Sequence, residues 1–142
     1  MFANTVSNKW AVTTPKIAAQ IELIVFNLGG ISFGIPTIKV DRVVTQTQLD
    51  RDFQIDANVE ILDLHHRLFG VSIATATAMV IFTGDRLAGI PIDTAPTLIS
   101  IPLDQIRILP AAFRTNNPLS IASHIAMTAI DDSELTIFIL EW

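Results

Sequence analysis

The chain of 142 residues contains no cysteine. That excludes disulfides, thiolate metal ligands and cysteine nucleophiles, and removes any sign of an oxidising compartment. Tyrosine is absent too, aromatic residues reach only 7%, and 9 Lys and Arg face 14 Asp and Glu. A net charge of −5, with no stripe of interleaved aromatic and basic residues, argues against a phosphate-binding or nucleic-acid-binding surface. The longest uncharged window, Leu68 to Gly84, carries three threonines and two glycines and falls short of the roughly 20 residues a membrane helix needs. The first residues, MFANTVSNKWAVTTPK, lack the basic start, apolar block and cleavage site of a signal peptide. A cytoplasmic protein without membrane insertion is expected. There is no Gly-x-Ser-x-Gly elbow, Walker loop or Gly-x-Gly-x-x-Gly fingerprint, so catalysis and a nucleotide cofactor have no positive support.

What is present is apolar: 50% of residues are hydrophobic and 16% charged, enough for one compact domain with a substantial core. The stretch from Ile21 to Val44 reads as a β-hairpin. Leu23-Ile24-Val25-Phe26 is a continuous apolar run, as in a strand buried on both faces. Gly29-Gly30 supplies the positive φ angles of a tight turn. The return strand alternates, with Ile31, Phe33 and Ile35 on one side and Ser32 and Gly34 on the other. Pro36 marks a strand end or bulge, and the switch of apolar phase to Ile38 and Val40 predicts a bend.

The text returns 55 positions later. Gly84 to Pro91 matches Gly29 to Pro36 as Gly, four residues, Gly-Ile-Pro. A repeat at fixed period predicts two similar small β-units in one chain. Gly34 and Gly89 are expected to permit close backbone approach inside a small barrel.

Residues 1–19 read as a polar tail whose Trp10 is expected to fold back onto the domain. Thr45 to Asn58 is a polar connector. Val59 to Asp63 reads as a strand running into a short helical turn, with Asp63 as cap, Leu64 and Leu68 on one face and Gly70 as the left-handed stop. Further strands are expected over Ala78–Phe82 and Leu98–Ile101, a tight turn over Pro102–Ile106, a surface loop from Ile108 to Pro118, and a closing hairpin from Ile121 to Leu140. Seven or eight strands with little helix indicate an all-β barrel or sandwich.

His65-His66 beside Asp63 is the one cluster of metal-ligand types. Adjacent residues on a helical turn point about 100° apart, so a solvated His-His-Arg face is expected instead. His124 is far along the chain. Asp131, Asp132 and Glu134 fit a solvated hairpin tip.

Taken in order, LIVFNLGGISFGIP…VDRVV, VEILDLHHRLFG, AMVIFTGDRLAGIPID, LISIPLDQIRILP and a closing hairpin ending in IFILEW resemble the CheW-like domain. The likeness covers residues 20–142. It implies two packed SH3-like five-stranded β-barrels with one or two short helical turns. It also implies a non-enzymatic adaptor, without cofactor or metal, that couples a chemoreceptor signalling tip to a CheA-type histidine kinase in chemotaxis or motility signalling. Such docking needs apolar, shape-matched surface and strand edges rather than reactive groups. The positions matching the family's "aIP…V" text are Ile35, Pro36, Ile38, Val40 and Val43, and those matching "VvDLr" are Leu62, Asp63 and Leu64. These eight are the expected partner-binding residues. Where the family usually carries Arg-Gly ahead of the second motif, this chain has Asp56-Ala57-Asn58, with Arg51 the nearest arginine. Ordinary receptor coupling and a divergent adaptor in a motility or pilus-type array both stand open. A small β-barrel module binding a ligand or nucleic acid is the alternative of a different class, and steep salt-dependent capture of single-stranded DNA would favour it.

Overall fold

The computed structural model describes residues 19–45, 58–84, 86–113 and 118–140. The expected tail with Trp10, the connector with Arg51 and Asp56-Ala57, Asn116-Asn117 and the terminal Glu141-Trp142 lie outside the described residues.

The first hairpin joins β1 (Gln20–Leu28) to β2 (Ile31–Pro36) through Gly29 and Gly30, with φ of 58° and 89°. Both angles lie in the left-handed region that such a turn demands, and the Gly30 N–H donates to Asn27 Oδ1 at 3.0 Å. Pro36 then ends the strand, as the missing amide donor requires. A 3-10 turn, Thr37–Lys39, redirects the chain into β3 (Val40–Thr45). The expected bend after Pro36 is this turn. Next come β4 (Glu60–Ile61), the helix α1 (Leu64–Phe69), β5 (Ala78–Thr83), β6 (Leu87–Ile92) and β7 (Thr97–Pro102). A second 3-10 turn, Leu103–Gln105, leads to β8 (Ile106–Ile108), and a third, Pro118–Ile121, to β9 (Ala122–Ile130) and β10 (Ser133–Leu140).

Ten strands are therefore described where seven or eight were expected. The clearest addition is β8: Ile106 to Ile108 pairs antiparallel with His124 to Ala126 instead of passing into a loop. Among the described residues the strands divide into a six-stranded sheet, β7-β1-β2-β10-β9-β8, and a four-stranded sheet, β3-β5-β6-β4. The fold is all-β, with curled sheets and little helix. The expected five-and-five division appears as six and four, because β7 leaves the second hairpin and pairs with β1 (Leu23↔Ile99).

Two cores explain the curl. Leu23 and Val25 of β1, Ile101 of β7, Ala126 of β9, and Ile137 and Ile139 of β10 form one buried cluster, with Ile106 of β8 packed on it. Residues from both edge strands meet there, so the sheet rolls until its edges approach. The alternate residues of the same strands serve a larger core between the sheets. Phe26, Leu28, Phe33 and Ile35 meet Val80, Phe82, Ala88, Ile90 and Ile92 of the four-stranded sheet, capped by Leu64 and Ile121. β1 is thus buried on both faces, as its uninterrupted apolar run requires.

A candidate docking groove

The first two 3-10 turns have the same construction. Each begins with Ile-Pro at a strand end (Ile35-Pro36 and Ile101-Pro102), and in each the residue after the turn returns its amide to the first turn carbonyl: Val40 to Thr37, Ile106 to Leu103. Proline's fixed φ and absent donor suit a strand end that must turn. Between the two turns lies a groove of about 230 Å³. Pro36, Ile38 and Lys39 line it from the first turn, and Leu103 and Ile106 from the second. Ile21, His124, Ile139 and Leu140 complete it. Ile38 is 90% exposed and Leu103 49%, large aliphatic side chains left in water at one place on the surface. Single exposed apolar residues are ordinary, whereas a group around a concave site makes a candidate docking surface.

The eight residues expected from sequence separate into three roles. Pro36 and Ile38 reach the groove. Ile35 and Leu64 are fully buried in the larger core, where their side chains serve packing; Val40, Val43 and Leu62 pack partly buried against the same core. Asp63 caps α1: its Oδ1 accepts the His66 N–H at 3.0 Å and its Oδ2 accepts the Ser72 hydroxyl. The Ser72 bond is the main reason the Asp63 carboxyl sits below its ordinary range. Burial opposes the shift, while the His66 amide and the two neighbouring imidazoles add to it.

The rest of α1 follows the expected pattern. Leu64 is buried, and Gly70 at φ 80° closes the helix with its N–H on the His66 carbonyl at 2.7 Å. His65 donates from Nδ1 to the Val71 carbonyl at 2.5 Å and its ring lies 4.9 Å from Phe69. Among the described residues no group of three or more His, Asp or Glu side chains is placed to hold a metal ion. Asp131 and Asp132 occupy the exposed tip of the β9–β10 hairpin, with positive φ of 50° and 65°.

Sequence reasoning missed Ile21, Lys39, Leu103, Ile106, His124, Ile139 and Leu140 as groove residues. The recurring Ile-Pro-x-x-x-Val/Ile text at 35–40 and 101–106 was the available signal for two of its walls. His124 and Ile139 gave none, because they reach the groove through the parallel pairing of β10 with β2 (Phe138↔Phe33).

Two rolled sheets sharing a core, with aliphatic side chains at the turns between strands, define an all-β protein of the doubled SH3-like type. Its architecture is similar to that of a solved scaffolding protein, TtCheW from Thermoanaerobacter tengcongensis. The two share a TM-score of 0.60 at 20% sequence identity, over 87% of this chain and 91% of that one. The fold is accordingly CheW-like. No protein-family model and no curated protein matches the sequence. Among the described residues no helix is long and apolar enough to cross a membrane.

Proposed function

We propose that this protein is a non-enzymatic signalling adaptor that couples chemoreceptors to a CheA-type histidine kinase, in chemotaxis or a related motility system. The observation carrying this reading is Ile38, 90% exposed on a turn of a CheW-like fold and set beside an aliphatic groove. An isoleucine held in water has no packing role in the free protein and gains about 1.5–3 kcal/mol when a partner covers it. Docking of this kind uses buried apolar area and shape, with no bond made or broken. Pro36 and Ile38 are the direct contacts in this reading. Val40, Val43, Leu62 and Asp63 hold the surface in shape, and Ile35 and Leu64 support it from the core.

The test is a pull-down with CheA-type kinases and receptor signalling tips, comparing wild type with Ile38→Asp. The substituted side chain sits in solvent, so circular dichroism and melting temperature should stay close to wild type. Capture should weaken by about tenfold or more. Undiminished capture of both partners would sink the assignment of the surface, and absence of any capture by wild type would sink the adaptor reading itself.

A further inference from the structure

Among the described residues two polar side chains line the groove, Lys39 of the first 3-10 turn and His124 of β9, and the others that line it are aliphatic or proline. Among the described residues no carboxylate lines it, although the protein carries a net charge of −5. The ion pairs among the described residues are Arg42–Asp41 and Arg86–Glu60, and neither involves Lys39. Its ammonium is therefore uncommitted among the described residues.

His124 is held in place from behind. Ser123 is the buried polar residue of the described core, 3% exposed, and its Oγ lies 2.6 Å from Nδ1 of His124. A hydroxyl buried among hydrocarbon is costly without a partner, and here the partner is the imidazole of the groove. That bond fixes the ring and commits Nδ1, which leaves Nε2 as the nitrogen available to a ligand.

We propose that the groove receives an aliphatic side chain of a partner protein together with a neighbouring carboxylate. Lys39 and His124 meet the carboxylate, and Ser123 acts as a positioning residue for the imidazole. This rests on the adaptor reading and adds the chemistry of the segment bound. The groove is smaller than the roughly 300–1,000 Å³ of small-molecule sites, so it suits a side chain rather than a cofactor. The aliphatic walls supply affinity. The two polar groups supply selection, because an acidic partner is repelled by the protein as a whole and finds the Lys39 ammonium here.

The test uses two probes that do not depend on the partner's identity, N-acetyl-leucyl-glutamate amide and N-acetyl-leucyl-glutamine amide. Each is titrated at low salt while the methyl NMR signals of Ile38, Leu103 and Ile139 are followed. The glutamate probe should bind about fivefold more tightly, a margin in keeping with partly exposed charge pairs. Lys39→Glu should invert the order. Ser123→Ala should shrink the glutamate advantage while leaving the glutamine probe unchanged, and Ser123→Thr should restore it. Equal binding of the two probes, binding of neither, or an unchanged order in Lys39→Glu would overturn the proposal. So would a dimer that fills the groove with a second copy of this chain. The pull-down above is read separately: retained capture with no probe preference refutes only the carboxylate, whereas a clear preference without capture refutes only the kinase and receptor assignment.

Discussion

Two stretches of this chain carry the same text, glycine, four residues and Gly-Ile-Pro, and end in different sheets. β1–β2 lies in the interior of the six-stranded sheet and β5–β6 in the interior of the four-stranded one. The first is closed by Gly29-Gly30; in the second β5 ends at Thr83 and β6 begins at Leu87, with the Gly84 N–H on the Arg86 carbonyl at 3.1 Å. The pairing of the second is slipped by one relative to the first. Gly34 faces Val25, whereas Gly89 faces Ile81 rather than Val80, which the 55-residue offset would give. The slip leaves the shared core intact because Ile35 and Ile90, and Phe33 and Ala88, still point into it. It also makes Phe82 the counterpart of Phe26. Phe26 stacks on Phe33 with centroids 5.9 Å apart, while Phe82 stands opposite Ala88. A large pair in one hairpin meets a large and small pair in the other, as close packing between two layers favours.

If the hairpins share one core, truncating either should weaken both. Phe33→Ala and Phe82→Ala should each cost about 3–5 kcal/mol, because both rings are almost fully buried in the same cluster. Denaturant unfolding followed by Trp-independent probes (far-ultraviolet dichroism and methyl NMR from each sheet) should show one transition displaced in both variants. Two separable transitions, one per sheet, would mean that the halves are independent barrels that merely touch.

The paired glycines should break differently. A methyl on Gly34 would meet Ile137 Cγ2 at 3.0 Å and Leu23 Cδ1 at 3.1 Å, two side chains of the smaller core. A methyl on Gly89 would meet Met79 Sδ at 2.6 Å and its Cγ at 3.1 Å. Each alanine should cost about 1–3 kcal/mol by overpacking. Adding Met79→Ala should recover a good part of the loss at Gly89, because one flexible thioether makes the closest contacts. No single truncation should do the same at Gly34, where a β-branched and a γ-branched neighbour both crowd the site. Thermal melts of each alanine variant, alone and with each truncation, decide the matter, and equal rescue at both glycines would erase the distinction.

Much of this arrangement was legible from local text. The alternation of Ile31, Phe33 and Ile35, the double glycine, the Asp63 cap and the Gly70 stop all act within a few residues, where sequence and conformation are directly coupled. β8 was not legible: Ile106-Arg107-Ile108 is too short to show a period, and its partner His124 to Ala126 lies elsewhere in the chain. The groove failed for the same reason, since β10 brings Ile139 beside β2 by a parallel pairing that no adjacent turn announces. The resemblance named Pro36 and Ile38, which line the groove, together with Ile35 and Leu64, which lie in the core. Alternation tells which residues share a face, but not which face another layer will cover.

The smallest expected effect concerns the helix that caps the shared core. Asp63→Ala removes the acceptor of the His66 amide and the Ser72 hydroxyl, and should cost about 0.5–2 kcal/mol, as loss of a helix N-cap does. Because the folded carboxyl titrates below its unfolded value, the charged form is favoured by folding. Its contribution is therefore fully present above the unfolded value of about 3.9 and is lost as the pH falls through the folded one. The stability gap between wild type and Asp63→Ala should be constant from neutral pH down to about pH 5, then narrow on further acidification. Phe33→Ala and Phe82→Ala remove no titratable group, so they should keep an unchanged offset from wild type across the same range. An Asp63→Ala gap that stayed flat to the lowest pH at which the protein folds would show that the Ser72 and His66 bonds do not distinguish the carboxylate from the acid.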